Sequence, residues 1–328
     1  MKGIRFLKLF LPLLVATFVF YYLFRKYPLS RIAVGLPYIQ LPLFFIISII
    51  YFLSVWWLDC WGLARFFSRV GYSTGTRELC TPRLASYLIM VISYAVSQGI
   101  LAWFFKKEKN LPFLKSTSLI SFVILIDLYW MITLSFVSSY FSGSPLERWN
   151  FLPSLRILWV CVTAGMAIWA VFGQSLSKYK LLNWTRRFHI LSAFQERKLS
   201  DYLYTMLIRF PLHVLVNSSL FFFAWTFGVY IPLIEVITYL PIVLLLGTLP
   251  LTPAGLGISQ LVMVAFFADK VQGEIVSLGQ ISGAELIVLI SLTAQVMNLF
   301  LKGITGVFFL RRVLSSTTVS AQPQSNLI

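Results

Sequence analysis

The sequence predicts an all-α polytopic transmembrane helix bundle that contains re-entrant or broken helices. Hydrophobic residues make up 59% of the 328 residues, the mean hydropathy is +0.84, and charged residues account for only 12%. A chain of this composition cannot cover itself with polar surface, so lipid is its expected solvent. We therefore predict one integral membrane domain over residues 1–314, followed by a disordered polar tail over residues 315–328.

Apolar tracts follow one another along the whole chain, and a spanning helix needs about 20 such residues. The first tract follows Lys2, Arg5 and Lys8 and resembles a signal sequence, but it lacks a small-residue cleavage site. We predict that it is an uncleaved first helix with a cytoplasmic N-terminus. The tracts cover residues 6–24, 38–58, 84–105, 117–141, 155–173, 202–227, 235–249, 254–268 and 283–310.

Basic residues between the tracts determine the predicted topology. Residues 65–83, 106–115 and 178–209 are rich in lysine and arginine, which favours the cytoplasmic side for all three segments. If the tract at 84–105 crossed the membrane, the basic segments on its two sides would lie on opposite faces. A re-entrant hairpin over 84–105, turning at Ser97-Gln98-Gly99, removes this conflict. The alternative is a simple span, for which about 22 residues are sufficient.

A second predicted hairpin, residues 235–268, is interrupted at 249–260 by two prolines and two glycines. Such a break leaves backbone N–H and C=O groups unpaired, which is tolerated only inside protein or beside a wet cavity. Broken helices form the substrate site of many transporters, and a freed helix N-terminus can bind phosphate. A tight connection without a ligand is the alternative. The predicted substrate-binding residues of this segment are Thr252, Gly255, Gly257, Ser259 and Gln260.

Lipid is also the expected partner of the basic residues, although the net charge of +16 alone would suggest nucleic acid. Residues 177–200 alternate basic and apolar side chains, which indicates an amphipathic helix on the cytoplasmic headgroups. An ordinary cytoplasmic loop is the alternative. Because the basic residues cluster between apolar tracts, we expect contact with anionic membrane lipids and not with nucleic acid.

Ionisable residues inside the tracts are costly in lipid and are therefore functional candidates. Asp127 is a candidate coupling residue that binds a cation or a proton, or else a structural partner of a nearby polar group. Gln98 is a second coupling candidate. Arg209, His213 and Asn217 are spaced one helical turn apart and share a face, where the guanidinium group suits a phosphate headgroup. The alternative is that Arg209 extends to the cytoplasmic interface.

The last tract carries a similar polar stripe. Gln295, Asn298 and Lys302 follow at i, i+3 and i+7 and face the bundle. Hydrogen bonds between helices are the commoner role of such amides, while Lys302 can extend to the cytoplasmic surface. Glu285 opens this helix and suits its N-terminal dipole.

Motifs of enzyme chemistry are missing from the sequence. Its histidines are His189 and His213, and Cys60, Cys80 and Cys161 lack metal-ligand spacing. We find no G-x-S-x-G elbow, P-loop or closely paired carboxylates. We therefore expect no metal and no cofactor, and a transporter-like protein in preference to an enzyme.

Residues 250–260 resemble the signature P-x-x-P-G-G-L-G-x-x-E of the lysylphosphatidylglycerol synthase transmembrane family, also called flippase-like membrane proteins. Ala254 stands where the signature has a glycine, and Gln260 stands where it has an acid. A looser resemblance covers a glycine turn, a polar connection and a helix with an aspartate, here Gln98-Gly99, residues 106–115 and residues 116–127. The matching signature positions are Pro250, Pro253, Gly255, Leu256 and Gly257.

The resemblance implies a multi-pass protein of a bacterial or archaeal cytoplasmic membrane that translocates or handles a lipid or lipid-linked substrate with an anionic headgroup. Two alternatives are a membrane-embedded transferase that modifies a phospholipid or polyprenyl-linked headgroup, and an accessory subunit of envelope assembly. Because no aminoacyl-transfer domain follows the last predicted helix, we do not expect this chain alone to synthesise an aminoacyl lipid. If the family's carboxylate binds a cationic headgroup or a proton, Gln260 cannot do so.

Overall fold

The structure, a computed structural model, describes residues 2–90, 94–141, 151–176, 192–248, 252 and 255–319. These residues are almost entirely helical and form no β-strand beyond an isolated bridge between Tyr230 and Gln272. The prediction of an all-α polytopic bundle is confirmed. Helical segments long and apolar enough to cross a membrane are Leu41–Arg69, Phe113–Ser138, Pro153–Val171, Leu199–Trp225 and Gly283–Phe309.

The helices are named in chain order, and the short 3₁₀ helices Ala33–Tyr38 and Ala268–Lys270 lie between them. The α-helices are α1 (Lys2–Lys26), α2 (Leu29–Ile32), α3 (Leu41–Arg69), α4 (Thr76–Met90), α5 (Tyr94–Lys109), α6 (Phe113–Ser138), α7 (Phe151–Leu176), α8 (Ser192–Glu196), α9 (Leu199–Asn217), α10 (Ser219–Trp225), α11 (Leu233–Thr248), α12 (Ile258–Phe267), α13 (Glu274–Ser277) and α14 (Gly283–Val319).

The local sequence explains how two of the helices begin. Pro42 lies in the first turn of α3, where a backbone N–H group has no acceptor within the helix, so the missing N–H of proline costs nothing there. At the start of α14, Ser282 and Glu285 form a reciprocal capping box: Ser282 N donates to Glu285 Oε2 at 2.9 Å, and Glu285 N donates to Ser282 Oγ at 3.2 Å. Glu285 therefore lies at the helix N-terminus as predicted.

Ion pairs bring the basic ends of several helices together at one end of the bundle, which we call the basic end. Arg69 at the end of α3 bonds Asp201 at the start of α9 at 3.2 Å. Lys115 at the start of α6 lies 3.6 Å from Glu196 in α8. The described parts of the segments that the sequence assigns to the cytoplasm therefore share one end of the structure.

Other contacts define the opposite end. Gln40 N, just before α3, donates to Thr226 O after α10 at 2.9 Å. Arg31 lies 3.4 Å from Glu285 at the start of α14. The connections before α3, after α10 and before α14 are therefore neighbours.

Helices α4 and α5 form a hairpin whose open end lies at the basic end, where Lys109 Nζ bonds Glu78 Oε2 at 2.6 Å. They have 15 and 16 residues, or about 23 Å each, against about 30 Å of hydrocarbon. The predicted turn position, Ser97-Gln98-Gly99, is wrong: these residues lie inside α5, since a single glycine costs a helix only about 1 kcal/mol. The chain between the helices, residues 91–93, lies outside the described residues.

Helices α11 and α12 form a second packed pair that opens at the opposite end, where Lys270 Nζ lies 3.6 Å from Glu235 Oε1. The predicted helix break between them is present, and Thr252 and residues 255–257 are the described part of it. That these two pairs are re-entrant in a membrane stays a prediction.

Two further predictions fall partly outside the described residues. Of the basic amphipathic segment at 177–200, residues 177–191 are not described, and the rest forms α8 and the start of α9. Helix α14 continues to Val319, so it extends into the predicted polar tail, and residues 320–328 are not described.

Candidate functional site

A network of charged side chains lies inside the bundle and joins four helices. Arg209 in α9 bonds Asp127 in α6 through two parallel contacts, Nε to Oδ1 at 2.7 Å and Nη2 to Oδ2 at 2.6 Å. Its Nη1 donates to Asp59 Oδ1 in α3 at 2.8 Å. The second oxygen of Asp59 accepts from Arg83 Nε in α4, and His213 Nε2 lies 2.9 Å from Asp127 Oδ1.

The network lies near the middle of the helices that carry it. Arg209 is ten residues from the start of α9 and Asp59 is ten residues from the end of α3, so both are about 15 Å from the basic end. Asp127 is about 21 Å from the start of α6. A hydrocarbon core is about 30 Å thick, so this depth corresponds to its central region. Arg209 and Asp59 are only 3% and 4% exposed.

Aromatic packing holds these helices at the spacing that the network needs. The rings of Phe67 in α3 and Phe105 in α5 stack with centroids 3.8 Å apart, and Phe66 stacks on Phe122 of α6 at 5.4 Å. Tyr202 of α9 packs edge-on against Phe122 at 4.8 Å. The cluster lies between the network and the basic end, and it fixes α3, α5, α6 and α9 around the charged groups.

The sequence prediction for α9 is met in part. Arg209, His213 and Asn217 are all buried, so they do share an inward face. The alternative that Arg209 extends to the cytoplasmic interface is wrong, because two carboxylates hold its guanidinium group inside. Asn217 Nδ2 donates to His213 O at 2.7 Å and does not reach the network. A direct contact of Arg209 with a headgroup stays a prediction.

Of the two predicted coupling residues, Asp127 belongs to the network and Gln98 borders it. Asp127 binds Arg209 and His213, so its partners are charged or titratable groups. Gln98 Oε1 accepts from Arg83 Nη1 at 3.3 Å, which connects α5 to the network through α4.

Asp59 and Arg83 are the network residues that the sequence reasoning missed. Both stand at the edge of a predicted apolar tract, and the tracts were ended at these charges. In the structure, α3 continues to Arg69 and α4 begins at Thr76, so both side chains lie well inside their helices. The apolar residues that follow Asp59, including Leu63, Phe66 and Phe67, were the available signal.

The second group of predicted site residues surrounds the break between α11 and α12. Gly255 and Gly257 have φ angles of +71° and +86°, which side-chain-bearing residues rarely adopt. A Cβ atom on Gly255 would also lie 2.8 Å from Gly247 O, so the backbone of α11 approaches too closely for any other residue. Thr252 is buried, and Ser259 lies beside Gly247 in the first turn of α12.

Gln260 stabilises this break through both ends of its side-chain amide. Its Oε1 accepts from Gly257 N at 2.6 Å, and its Nε2 donates to Gln295 Oε1 in α14 at 2.5 Å. The first bond satisfies one N–H group at the start of α12, and the second attaches the break to the last helix. Gln295 therefore has the interhelical role that its spacing indicated.

The predicted substrate-binding residues thus form two groups. Among the described residues, no hydrogen bond or ion pair joins Asp127, Arg209 or His213 to Thr252 or to residues 255–260. Within the same described part of the chain, no group of three or more His, Cys, Asp or Glu side chains is arranged to hold a metal ion.

Comparison with known proteins identifies a family that covers most of the chain. The family described as "Lysylphosphatidylglycerol synthase TM region" matches residues 9–272, about four-fifths of the chain. The match includes both hairpins, the charged network and the glycine-rich break. No curated protein and no solved structure matches the chain. The chain belongs to the lysylphosphatidylglycerol synthase transmembrane family.

Proposed function

We propose that the protein moves a lipid or lipid-linked substrate with an anionic headgroup between the leaflets of a bacterial or archaeal cytoplasmic membrane. In this proposal the basic end, with the N-terminus, faces the cytoplasm because lysine and arginine favour that side. Membership of a membrane family supports the general class. The buried network of Asp59, Arg83, Asp127, Arg209 and His213 is the observation that carries the proposal.

Charged groups at this depth need a reason beyond stability. A buried ion pair gains little over well-packed apolar residues, because desolvation offsets most of the attraction. Ionisable residues inside membrane helices accordingly lie along substrate or ion pathways in many proteins. In a translocating protein, such a network can exchange an internal partner for a substrate group and return to the paired state afterwards.

The two hairpins supply elements that can move around this network. Helices α4 and α5 carry Arg83 and open at the basic end, while α11 and α12 carry Gln260 and open at the opposite end. Oppositely oriented broken helices that meet near mid-depth are a recurrent plan of alternating-access transporters. We propose that the headgroup phosphate binds at residues 255–257 during passage and replaces Gln260 Oε1 as the acceptor of the Gly257 N–H group, with Thr252 and Ser259 as hydroxyl donors.

Lipid exchange in reconstituted vesicles tests the proposal. Purified protein is inserted into liposomes that contain fluorescent phospholipids, and a membrane-impermeant reductant reports how fast inner-leaflet probe reaches the outside. We expect exchange of an anionic probe by the unaltered protein. Asp127→Asn should lower its rate at least about tenfold, or about 1.4 kcal/mol in the barrier. Arg209→Ala should act in the same direction.

The control variant is Arg69→Gln, which removes a 44% exposed arginine side chain from an ion pair outside the network. It should leave the rate unchanged. All variants are compared at equal reconstitution and after a monodisperse gel-filtration profile. A folded protein that exchanges none of the anionic probes, or an Asp127→Asn variant that exchanges them at the normal rate, contradicts the proposal. Formation of a modified lipid without exchange supports the transferase alternative.

A further inference from the structure

Lys302 is a basic residue of the last helix whose ammonium group packs on an aromatic ring. It lies in α14, nine residues before Arg311 and so about 14 Å along the helix from it. Its ammonium group lies 5.6 Å from the ring centroid of Tyr87 in α4, and Tyr87 is only 3% exposed. The side chain thus points into the bundle, and the predicted extension of Lys302 to the cytoplasmic surface is not what the structure has.

The same tyrosine ring also contacts Arg83. The Arg83 guanidinium carbon lies 5.5 Å from the ring centroid, so two cations flank one aromatic side chain. Arg83 bonds the carboxylate of Asp59, whereas no carboxylate of the described residues contacts Lys302. A cation–π contact is weak, and unlike a carboxylate it does not neutralise the charge of the ammonium group.

The balance of charges around Lys302 indicates which kind of ligand can bind there. The carboxylates of Asp59 and Asp127 balance the guanidinium groups of Arg83 and Arg209, and Lys302 adds one positive charge to this interior region. An uncompensated charge in a membrane interior is costly, and a bound group with one negative charge removes that cost. A phosphodiester has this charge and has oxygens that both an ammonium and a guanidinium group can bind.

We propose that Lys302, Arg83 and Tyr87 form a subsite for the phosphodiester of a singly negative headgroup, an inference that rests on the function proposed above. Lys302 supplies the ammonium group, and Arg83 supplies the guanidinium N–H groups that face Gln98. The hydrogen bond from Arg83 to Gln98 joins a cation to a neutral amide, so a phosphate oxygen can replace it. A headgroup with a net positive charge is disfavoured, because it adds to the existing excess.

The position of Lys302 also connects the subsite to both hairpins, because α14 contacts each of them. Gln295, which holds the break at Gln260, lies seven residues earlier on the same helix, about 10 Å away. Helix α14 packs closely on α4, since a Cβ atom at Gly306 would lie 2.6 Å from Leu88 Cβ. Movement of the α4–α5 hairpin relative to α14 would therefore open or close the subsite directly.

Ligand-induced stabilisation of the purified full-length protein tests this inference without any measurement of transport. The probes are a short-chain phosphatidylglycerol with one negative charge, a short-chain phosphatidylcholine with no net charge, and inorganic phosphate. Thermal unfolding in detergent is followed as each probe is titrated. The variants are Lys302→Gln, Lys302→Arg and the control Lys115→Gln, whose ion pair with Glu196 is on the surface.

We expect the anionic lipid to raise the Tm of the unaltered protein and the zwitterionic lipid to bind at least tenfold more weakly. Lys302→Gln should lower the affinity for the anionic lipid at least tenfold. The affinities of Lys302→Arg and Lys115→Gln should stay within about threefold of that of the unaltered protein. Without ligand, Lys302→Gln should be as stable as the unaltered protein or more so, because it removes an uncompensated charge. A structural role of Lys302 would instead lower the Tm of this variant.

Unchanged binding of the anionic lipid by Lys302→Gln, or equal binding of both lipids, overturns the inference. If inorganic phosphate competes at the concentrations at which the lipid binds, the subsite is supported, but its ligand is a soluble phosphate and not a lipid headgroup. Binding through Lys302 without lipid exchange in vesicles would refute the proposed function and leave the subsite standing. Lipid exchange that is insensitive to Lys302→Gln would support the proposed function and overturn the subsite.

Discussion

Asp59→Asn is the substitution that we expect to damage the interior of the bundle most. One carboxylate oxygen of Asp59 accepts from Arg209 Nη1 at 2.8 Å and the other accepts from Arg83 Nε. Asparagine has nearly the same size, but it carries no charge, and its NH₂ group would face a guanidinium donor. The change therefore removes the carboxylate from two buried cations at once, and breaking one such buried pair costs about 3–5 kcal/mol.

A double-mutant cycle separates this electrostatic effect from a general loss of packing. Asp59→Asn, Arg83→Gln and the double variant are unfolded in mixed detergent or by heat, with tryptophan fluorescence as the signal. Because Arg83→Gln removes one of the cations that Asp59 compensates, the double variant should be more stable than the sum of the single effects predicts. Groups in one network couple by about 0.5–3 kcal/mol. The control, Arg31→Gln, affects a 55% exposed cation and should cost less than about 1 kcal/mol.

Two results would refute this reasoning. If Asp59→Asn is no more destabilising than Arg31→Gln, the Asp59 carboxylate does not hold the four helices together. If the effects of Asp59→Asn and Arg83→Gln simply add, the two side chains do not form the ion pair described here.

The remaining predictions concern the helix break and the opening of the first hairpin. Gly257→Ala should destabilise the protein by about 1–2 kcal/mol for the left-handed backbone alone, with a further loss because the new methyl group would lie 2.8 Å from Val19 Cγ1. Gln260→Leu should cost about 1–3 kcal/mol in denaturant unfolding, because it leaves a buried backbone N–H without its acceptor. The hydrogen bond from Lys109 lowers the pKa of Glu78, so its contribution to stability is present above the usual glutamate pKa of about 4.3 and is lost as the pH falls through the lowered value. The Tm values of Glu78→Gln and the unaltered protein, measured against pH, should therefore converge in acid.

Charge and hydropathy were sufficient to predict the fold class and the approximate ends of several long helices. The predicted tract at 235–249 corresponds to helix Leu233–Thr248, and the tract at 155–173 corresponds to Phe151–Leu176. The basic segments also predicted correctly which connections share one end, because loop charge is a local property. The turn of the first hairpin was placed wrongly, since Gly99 is tolerated in a helix and packing decides where the chain turns.

The charged network could be predicted only in part, because its contacts join distant positions. The spacing of Arg209 and His213 placed them on one helix face, and that local inference needed no tertiary information. Their partners Asp127 and Asp59 are 82 and 150 residues from Arg209 in the sequence. Asp59 stands at the boundary of an apolar tract because a charge interrupts the run of apolar residues. Leu63, Phe66 and Phe67 continue the apolar pattern of the helix beyond it.

Gln260 shows how a departure from the family signature separates the structural role of a residue from its charge. An acid at this position could also accept the hydrogen bond from Gly257 N, so the geometry of the break does not depend on glutamine. Only the amide can in addition donate to Gln295 Oε1, which ties the break to α14. The substitution thus keeps the helix start and removes a negative charge from the interior. Among the described residues, the carboxylates left near mid-depth are Asp59 and Asp127, and both already bind arginine. We therefore expect that a cation or proton that binds at mid-depth competes with arginine for Asp59 or Asp127, so that coupling in the proposed transport would act at these two ion pairs.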